Sequence, residues 1–93
     1  MWCVYIIECK DRSLYTGITM NIERRLKEHN SKKGGKYTKV RNPVKLIYKE
    51  SYKNKGNALK REIQIKGWSK RKKLALAGGD IELLKQLSKK KMR

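Results

Sequence analysis

The chain has 93 residues, enough for one domain with a single modest core and too few for a second, so any active site must be shallow and built on that core. Its 26 Lys and Arg against 8 Asp and Glu leave a formal charge of +18, a field that a small fold tolerates best beside a polyanion such as a phosphate backbone. No apolar run reaches the roughly 18 residues of a membrane span, and the N-terminal apolar segment is short and lacks a charged leader. The expectation is a soluble, cytoplasmic protein with nucleic acid, not membrane, as its partner.

Residues Trp2 to Cys9 alternate two apolar sets, Cys3, Tyr5, Ile7 and Cys9 on one side and Trp2, Val4 and Ile6 on the other, which predicts an interior strand. Extended, that strand holds Cys3 and Cys9 about 20 Å apart, too far for a disulfide, so both read as buried thiols. With one histidine and no CxxC, a structural zinc site has almost no support. Lys10 to Ser13 is turn-like, and Leu14 to Ile18 reads as the return strand of a hairpin.

Asn21 is placed to cap a helix carrying Glu23 in its first turn and running to about Lys32 before Gly34 and Gly35. Its inward stripe is Ile22, Leu26 and His29, with Arg25 alongside. A loop with Tyr37 and Pro43 leads to a third strand, Val44 to Tyr52, whose Val44, Leu46, Tyr48 and Tyr52 are expected on one face, with Lys45, Lys49 and Lys53 solvated on the other. A second helix, about Gly56 to Lys66, carries Ala58, Leu59, Glu62 and Ile63 at helical spacing. Ser69 can cap a third that Gly78 and Gly79 end, and Asp80 a fourth from Ile81 to about Lys89, followed by a lysine-rich tail. The order predicts an α+β domain, a small three-stranded antiparallel sheet flanked by helices, with 1–93 as one unit, a motif core over 2–76 and a basic helix and tail over 80–93.

Arg25 and His29 stand one turn apart, placing a permanent cation beside a titratable ring; the plain alternative is a solvated edge with Arg25 paired to Glu28. Glu62 falls on the expected core side of its helix, where a carboxylate needs a partner: either Lys66, four residues on, or a divalent metal. Tyr5 and Tyr15 meet only if the hairpin loop is odd. Three loop residues, Lys10 to Arg12, put Tyr5 opposite Gly17 and Ile7 opposite Tyr15, and Gly17 then leaves room for a ring or ligand.

Together these residues resemble the GIY-YIG nuclease domain in its small single-domain form, over Trp2 to about Leu76. VYI stands where the first motif is expected and YTG where the second is, followed by arginine, histidine and glutamate in the family's order. Cys3 takes a glycine position and Val4 and Thr16 the isoleucine positions, the last two keeping strand-forming β-branched residues. By position, Tyr5 and Tyr15 correspond to the motif tyrosines, Gly17 to the second motif's glycine, Arg25 to the family arginine, His29 to an assisting position and Glu62 to the metal-binding glutamate. Arg24 offers an alternative alignment with poorer spacing.

The resemblance implies hydrolysis of a phosphodiester with one divalent ion, Mg²⁺ or Mn²⁺, weakly held until substrate arrives because Glu62 is its one protein ligand. Tyr5 would be the general base, His29 would relay or stabilise the proton, Tyr15 would orient water or phosphate, and Arg25 would stabilise growing phosphate charge; the first three roles are interchangeable at this stage. Candidate nucleic-acid contacts are Gly17, Lys32, Lys33, Lys36, Lys39, Arg41 and the cluster Lys70, Arg71, Lys72 and Lys73. Trp68 beside that cluster is either a base-stacking ring or a half-buried anchor.

Two readings follow. One is a metal-dependent endonuclease or nickase on DNA, in repair or recombination, acting as a monomer or weak dimer with a protein partner for specificity. The other is a non-catalytic module that binds DNA or RNA through the same fold.

Overall fold

The computed structural model describes residues 1–31 and 42–89. Trp2–Glu8 (β1), Leu14–Thr19 (β2) and Lys45–Tyr52 (β3) form an antiparallel sheet in the order β2-β1-β3. Four helices accompany it among the described residues: Ile22–Asn30 (α1), Lys55–Lys66 (α2), Lys70–Gly78 (α3) and Ile81–Lys89 (α4). This is the expected α+β fold.

Because β1 lies between two strands and is apolar on both faces, it supplies both halves of the core. Cys3, Tyr5, Ile7 and Cys9 join Val44 under Ile22 and Leu26 of α1. Val4 and Ile6 join Ala58 and Ile65 of α2 on the other face, with Trp68 and Leu76 packed against them. The sheet is therefore sandwiched between α1 and the α2–α3 pair. Both cysteines are buried thiols, not joined in a disulfide.

The hairpin closes with the Cys9 amide donating to the Ser13 carbonyl at 2.9 Å and the Arg12 amide to the Cys9 carbonyl at 2.9 Å. Lys10 to Arg12 form the three-residue connection, and Arg12 takes the left-handed conformation, φ 71°, that such a turn requires at its last position. The odd loop sets the register: Tyr5 pairs with Gly17 and Ile7 with Tyr15.

Capping follows short polar side chains. Asn21 accepts from the Arg24 amide, Asn54 from Asn57, Ser69 from Lys72 and Asp80 from Leu83. At Gly79, φ 72° ends α3 in the conformation that glycine adopts without a steric penalty. α1 stops at Asn30, two residues before the expected end, where the Ser31 amide and hydroxyl both return to the Glu28 carbonyl. The Gly34–Gly35 stop and Tyr37 lie outside the described residues.

Two expectations about faces need correction. β3 does not keep one face from Val44 to Tyr52: Ile6 pairs with Tyr48 and Ile7 with Leu46, so Ile47 is an extra residue in a β-bulge. The bulge leaves Val44 and Leu46 on the Tyr5 side and turns Tyr48 and Tyr52 to the Ile6 side, with Ile47. On α2, Leu59 and Ile63 are exposed, Ile63 at 67%, and the sheet-facing residues are Ala58 and Ile65. Glu62 still lies on that side, four residues after one and three before the other.

A polar clamp that the sequence reading passed over joins β3 to α2. Tyr48 and Tyr52 donate their hydroxyls to the Glu50 carboxylate, and Arg61 Nε donates to it at 2.8 Å. Arg61 also reaches Gln64 Oε1 at 2.7 Å and stacks over Trp68.

Candidate active site

The strand and helix periods bring four of the predicted residues to one place. Tyr5 leaves the centre of β1 toward α1 and is 1% exposed; His29, on the inward stripe of α1, is also 1% exposed. The Tyr5 hydroxyl lies 3.0 Å from His29 Nε2. Arg25, one turn earlier, donates from Nε to the same hydroxyl at 3.4 Å. Tyr15 completes the group, its ring centroid 6.4 Å from Tyr5 and 5.3 Å from His29.

Gly17 is the reason Tyr5 fits. A Cβ at that position would sit 2.6 Å from the Tyr5 hydroxyl oxygen and 3.2 Å from a Tyr15 ring carbon, so any side chain would expel the phenol from its slot. Gly17 is thus a steric requirement of the site, beyond the contact role first assigned to it.

Electrostatics here oppose charge on Tyr5. Burial raises its pKa, the hydrogen bond from Arg25 pulls it down, and the nearby Tyr15 and Glu62 push it up again; the balance lies above the ordinary value. In the free protein burial outweighs the neighbouring Arg25 cation. Burial, and then the charge of Arg25, lower the pKa of His29, keeping the ring neutral at pH 7. A neutral ring with its proton on Nδ1 offers Nε2 as acceptor for the Tyr5 hydroxyl, which in turn accepts from Arg25. In that tautomer the phenol is held between a cation and a proton acceptor.

Arg25 is also held from its other side, with Nη1 3.0 Å from Glu28 Oε1, the pairing foreseen as the plain alternative. Contact with Tyr5 first, and with Glu28 after the opposing effect of burial, pushes its pKa above the ordinary value, so it stays a permanent cation.

Glu62 projects from α2 on the far side of the sheet, near enough for its charge to act on Tyr5. Its side chain is mostly buried, and Lys66 Nζ stands 3.2 Å from Oε2, so the helical partner considered from spacing is present. Among the described residues no group of three or more His, Cys, Asp or Glu could hold a metal. A single carboxylate fits an ion such as Mg²⁺ that keeps most of its waters and draws its remaining ligands from substrate phosphate.

The basic candidates divide. Lys70 and Arg71 are exposed and Lys73 is half-buried, its pKa lowered by burial and then by Lys66. Lys72 is only 6% exposed, with its ammonium 4.2 Å from the Trp68 ring centroid, so it braces that ring instead of facing outward. Trp68 is accordingly a half-buried anchor. Lys32, Lys33, Lys36, Lys39 and Arg41 lie outside the described residues.

A family model described as the GIY-YIG catalytic domain matches residues 1–75. The UPF0213 protein of Staphylococcus saprophyticus is 53% identical over 73 residues, covering 78% of this chain and 89% of that protein. Its counterpart in Staphylococcus haemolyticus is 52% identical over the same coverage. Among solved structures, the solution NMR structure of a UPF0213 protein from Bacillus halodurans matches with a TM-score of 0.54 and 44% identity, over 84% of each chain.

Proposed function

The chain belongs to the GIY-YIG catalytic-domain family, and from that membership we propose that it is a metal-dependent endonuclease or nickase that hydrolyses phosphodiester bonds in DNA. The observation that carries the reading is the Tyr5 hydroxyl, buried yet bonded at 3.0 Å to His29 and at 3.4 Å to Arg25. A core tyrosine needs one partner; this one has a proton acceptor and a cation, the two groups a general base needs beside it.

In this mechanism Tyr5 takes a proton from the attacking water as its own passes to His29 Nε2, so no isolated phenolate has to form in a buried slot. Tyr15 borders the same space and orients water or phosphate. Arg25 presents its planar guanidinium to the charge that grows on the phosphate, exchanging Glu28 for substrate oxygens. Glu62 would hold a divalent ion, Mg²⁺ or Mn²⁺, which when bound polarises the phosphate and acidifies water. For that the carboxylate must leave Lys66, a half-exposed partner whose pairing is weak.

Lys70, Arg71 and Lys73, with Lys32, Lys33, Lys36, Lys39 and Arg41, are proposed to contact the phosphate backbone. We place the protein in the cytoplasm, in repair or recombination, as one domain acting as a monomer or weak dimer, with a protein partner for specificity and DNA ahead of RNA as substrate. Among the described residues no helix is long and apolar enough to cross a membrane.

The test is cleavage of supercoiled plasmid, branched and single-stranded DNA and structured RNA with Mg²⁺ or Mn²⁺, using Glu62→Ala and Arg25→Ala prepared in parallel. Metal-dependent cutting should fall at least about 100-fold in each variant, as loss of a charge-stabilising group typically does, while binding changes little. Binding without cutting by every form supports the second reading, a non-catalytic nucleic-acid module, which the Glu62–Lys66 and Arg25–Glu28 ion pairs favour.

A further inference from the structure

β2 is an edge strand, and a cavity of about 370 Å³ lies along its outer end, reaching the site through Arg25. Its lining is apolar at Trp2, Ile18 and Met20 and polar or charged at Thr19, Arg24, Arg25 and Glu28. We propose that this cavity is a nucleobase pocket that receives one unstacked base of a DNA strand whose neighbouring phosphate lies at Arg25. The proposal rests on the nucleic-acid reading above and adds to it a substrate preference, for DNA that offers an unpaired nucleotide beside the scissile bond.

Three features match a base. Ligand pockets begin at roughly 300 Å³, so the volume suits one small planar group. Met20 is 62% exposed at the rim, a soft, unbranched side chain able to lie against a flat ring. The Glu28 carboxylate can accept from an exocyclic amine, as carboxylates do from cytosine, while Arg24 and Arg25 stand where the flanking phosphates would be. Lys55, 5.0 Å from the Trp2 ring centroid, keeps a further cation close to Trp2. Arg25 couples the pocket to the chemistry, since the same side chain donates to the Tyr5 hydroxyl.

The experiment compares, in EDTA so that nothing is cut, the affinity for duplex DNA carrying one extrahelical nucleotide with that for the same duplex carrying an abasic analogue there. Wild type should bind the base-bearing DNA roughly tenfold tighter, in the range of single stacking contacts. Met20→Asp should bring the ratio close to one, and Met20→Leu should keep it. Because Met20 is exposed, both variants should retain the wild-type melting temperature, which is checked on the same preparations. Equal affinities in wild type, a ratio unchanged by Met20→Asp, or no binding of either DNA would overturn the proposal. Cleavage of the same DNAs in Mg²⁺ is scored separately: a preserved ratio without cutting leaves the pocket standing and removes the nuclease reading.

Discussion

Thr16 stands between Tyr15 and Gly17 but faces away from the site, toward Ile6, and at 2% exposure its hydroxyl finds no hydrogen-bond partner among the described residues. A buried polar group without a partner costs about 1–3 kcal/mol. Thr16→Val keeps the β-branched shape and removes the hydroxyl, and should stabilise the fold by about 1 kcal/mol in denaturant unfolding; a loss of stability would mean that Oγ1 has a partner. Residue types at the site could be read directly, because tyrosine, arginine and histidine at strand and helix spacings restrict the chemistry. Burial within the basic run could not. Lys72 looked like its neighbours in a basic run and proved to be the one folded onto Trp68, since which residue of a helical run turns inward depends on what lies beneath it.

The bulge at Ile47 is the main lesson about elements. Alternation alone predicted one apolar face for β3, and one extra residue exchanged the faces halfway along it. That exchange turns Tyr48, Glu50 and Tyr52 together to the Ile6 side, where Arg61 of α2 reaches Glu50. Burial works against the Glu50 carboxylate, yet the hydrogen bonds from Tyr48, Tyr52 and Arg61 outweigh it and lower its pKa from 4.5. A carboxylate whose folded pKa lies below its unfolded one adds stability that is complete above the unfolded value and is lost as pH falls through the folded value. Glu50→Gln should therefore unfold more easily than wild type by about 1–3 kcal/mol at pH 7, with the gap closing as pH drops below about 4. Melting temperatures of both proteins from pH 7 to pH 3 test this, and a gap independent of pH would show that the charge is not what matters. The hairpin was legible to its register because loop parity determines which residues share a face.

For the whole molecule, +18 spread over a small fold makes salt the most direct probe. Each phosphate neutralised on duplex DNA contributes about −0.9 to the slope of log affinity against log salt, so five or six contacts give a slope near −5. Replacing both Lys70 and Arg71 by Ala should flatten that slope by nearly 2, whereas Lys72→Met should leave it unchanged and lower the melting temperature. Anisotropy titrations across a salt series decide between them. A Lys72→Met slope shifted by a full contact would place that ammonium on the phosphate backbone after all.

Composition by itself determined the +18 charge, a field that favours a polyanionic partner, because charge is a sum over residues that folding does not change. Local spacing determined the α+β order, the caps and the hairpin register, because each depends on contacts within a few residues. Only the tertiary structure decided that Tyr5 would be held by His29 and Arg25, and that Glu62 would approach from beyond the sheet. Those relations join residues up to 57 positions apart in the chain, and both the faces and the pKa directions depend on burial, which belongs to the packed molecule and not to any segment of it.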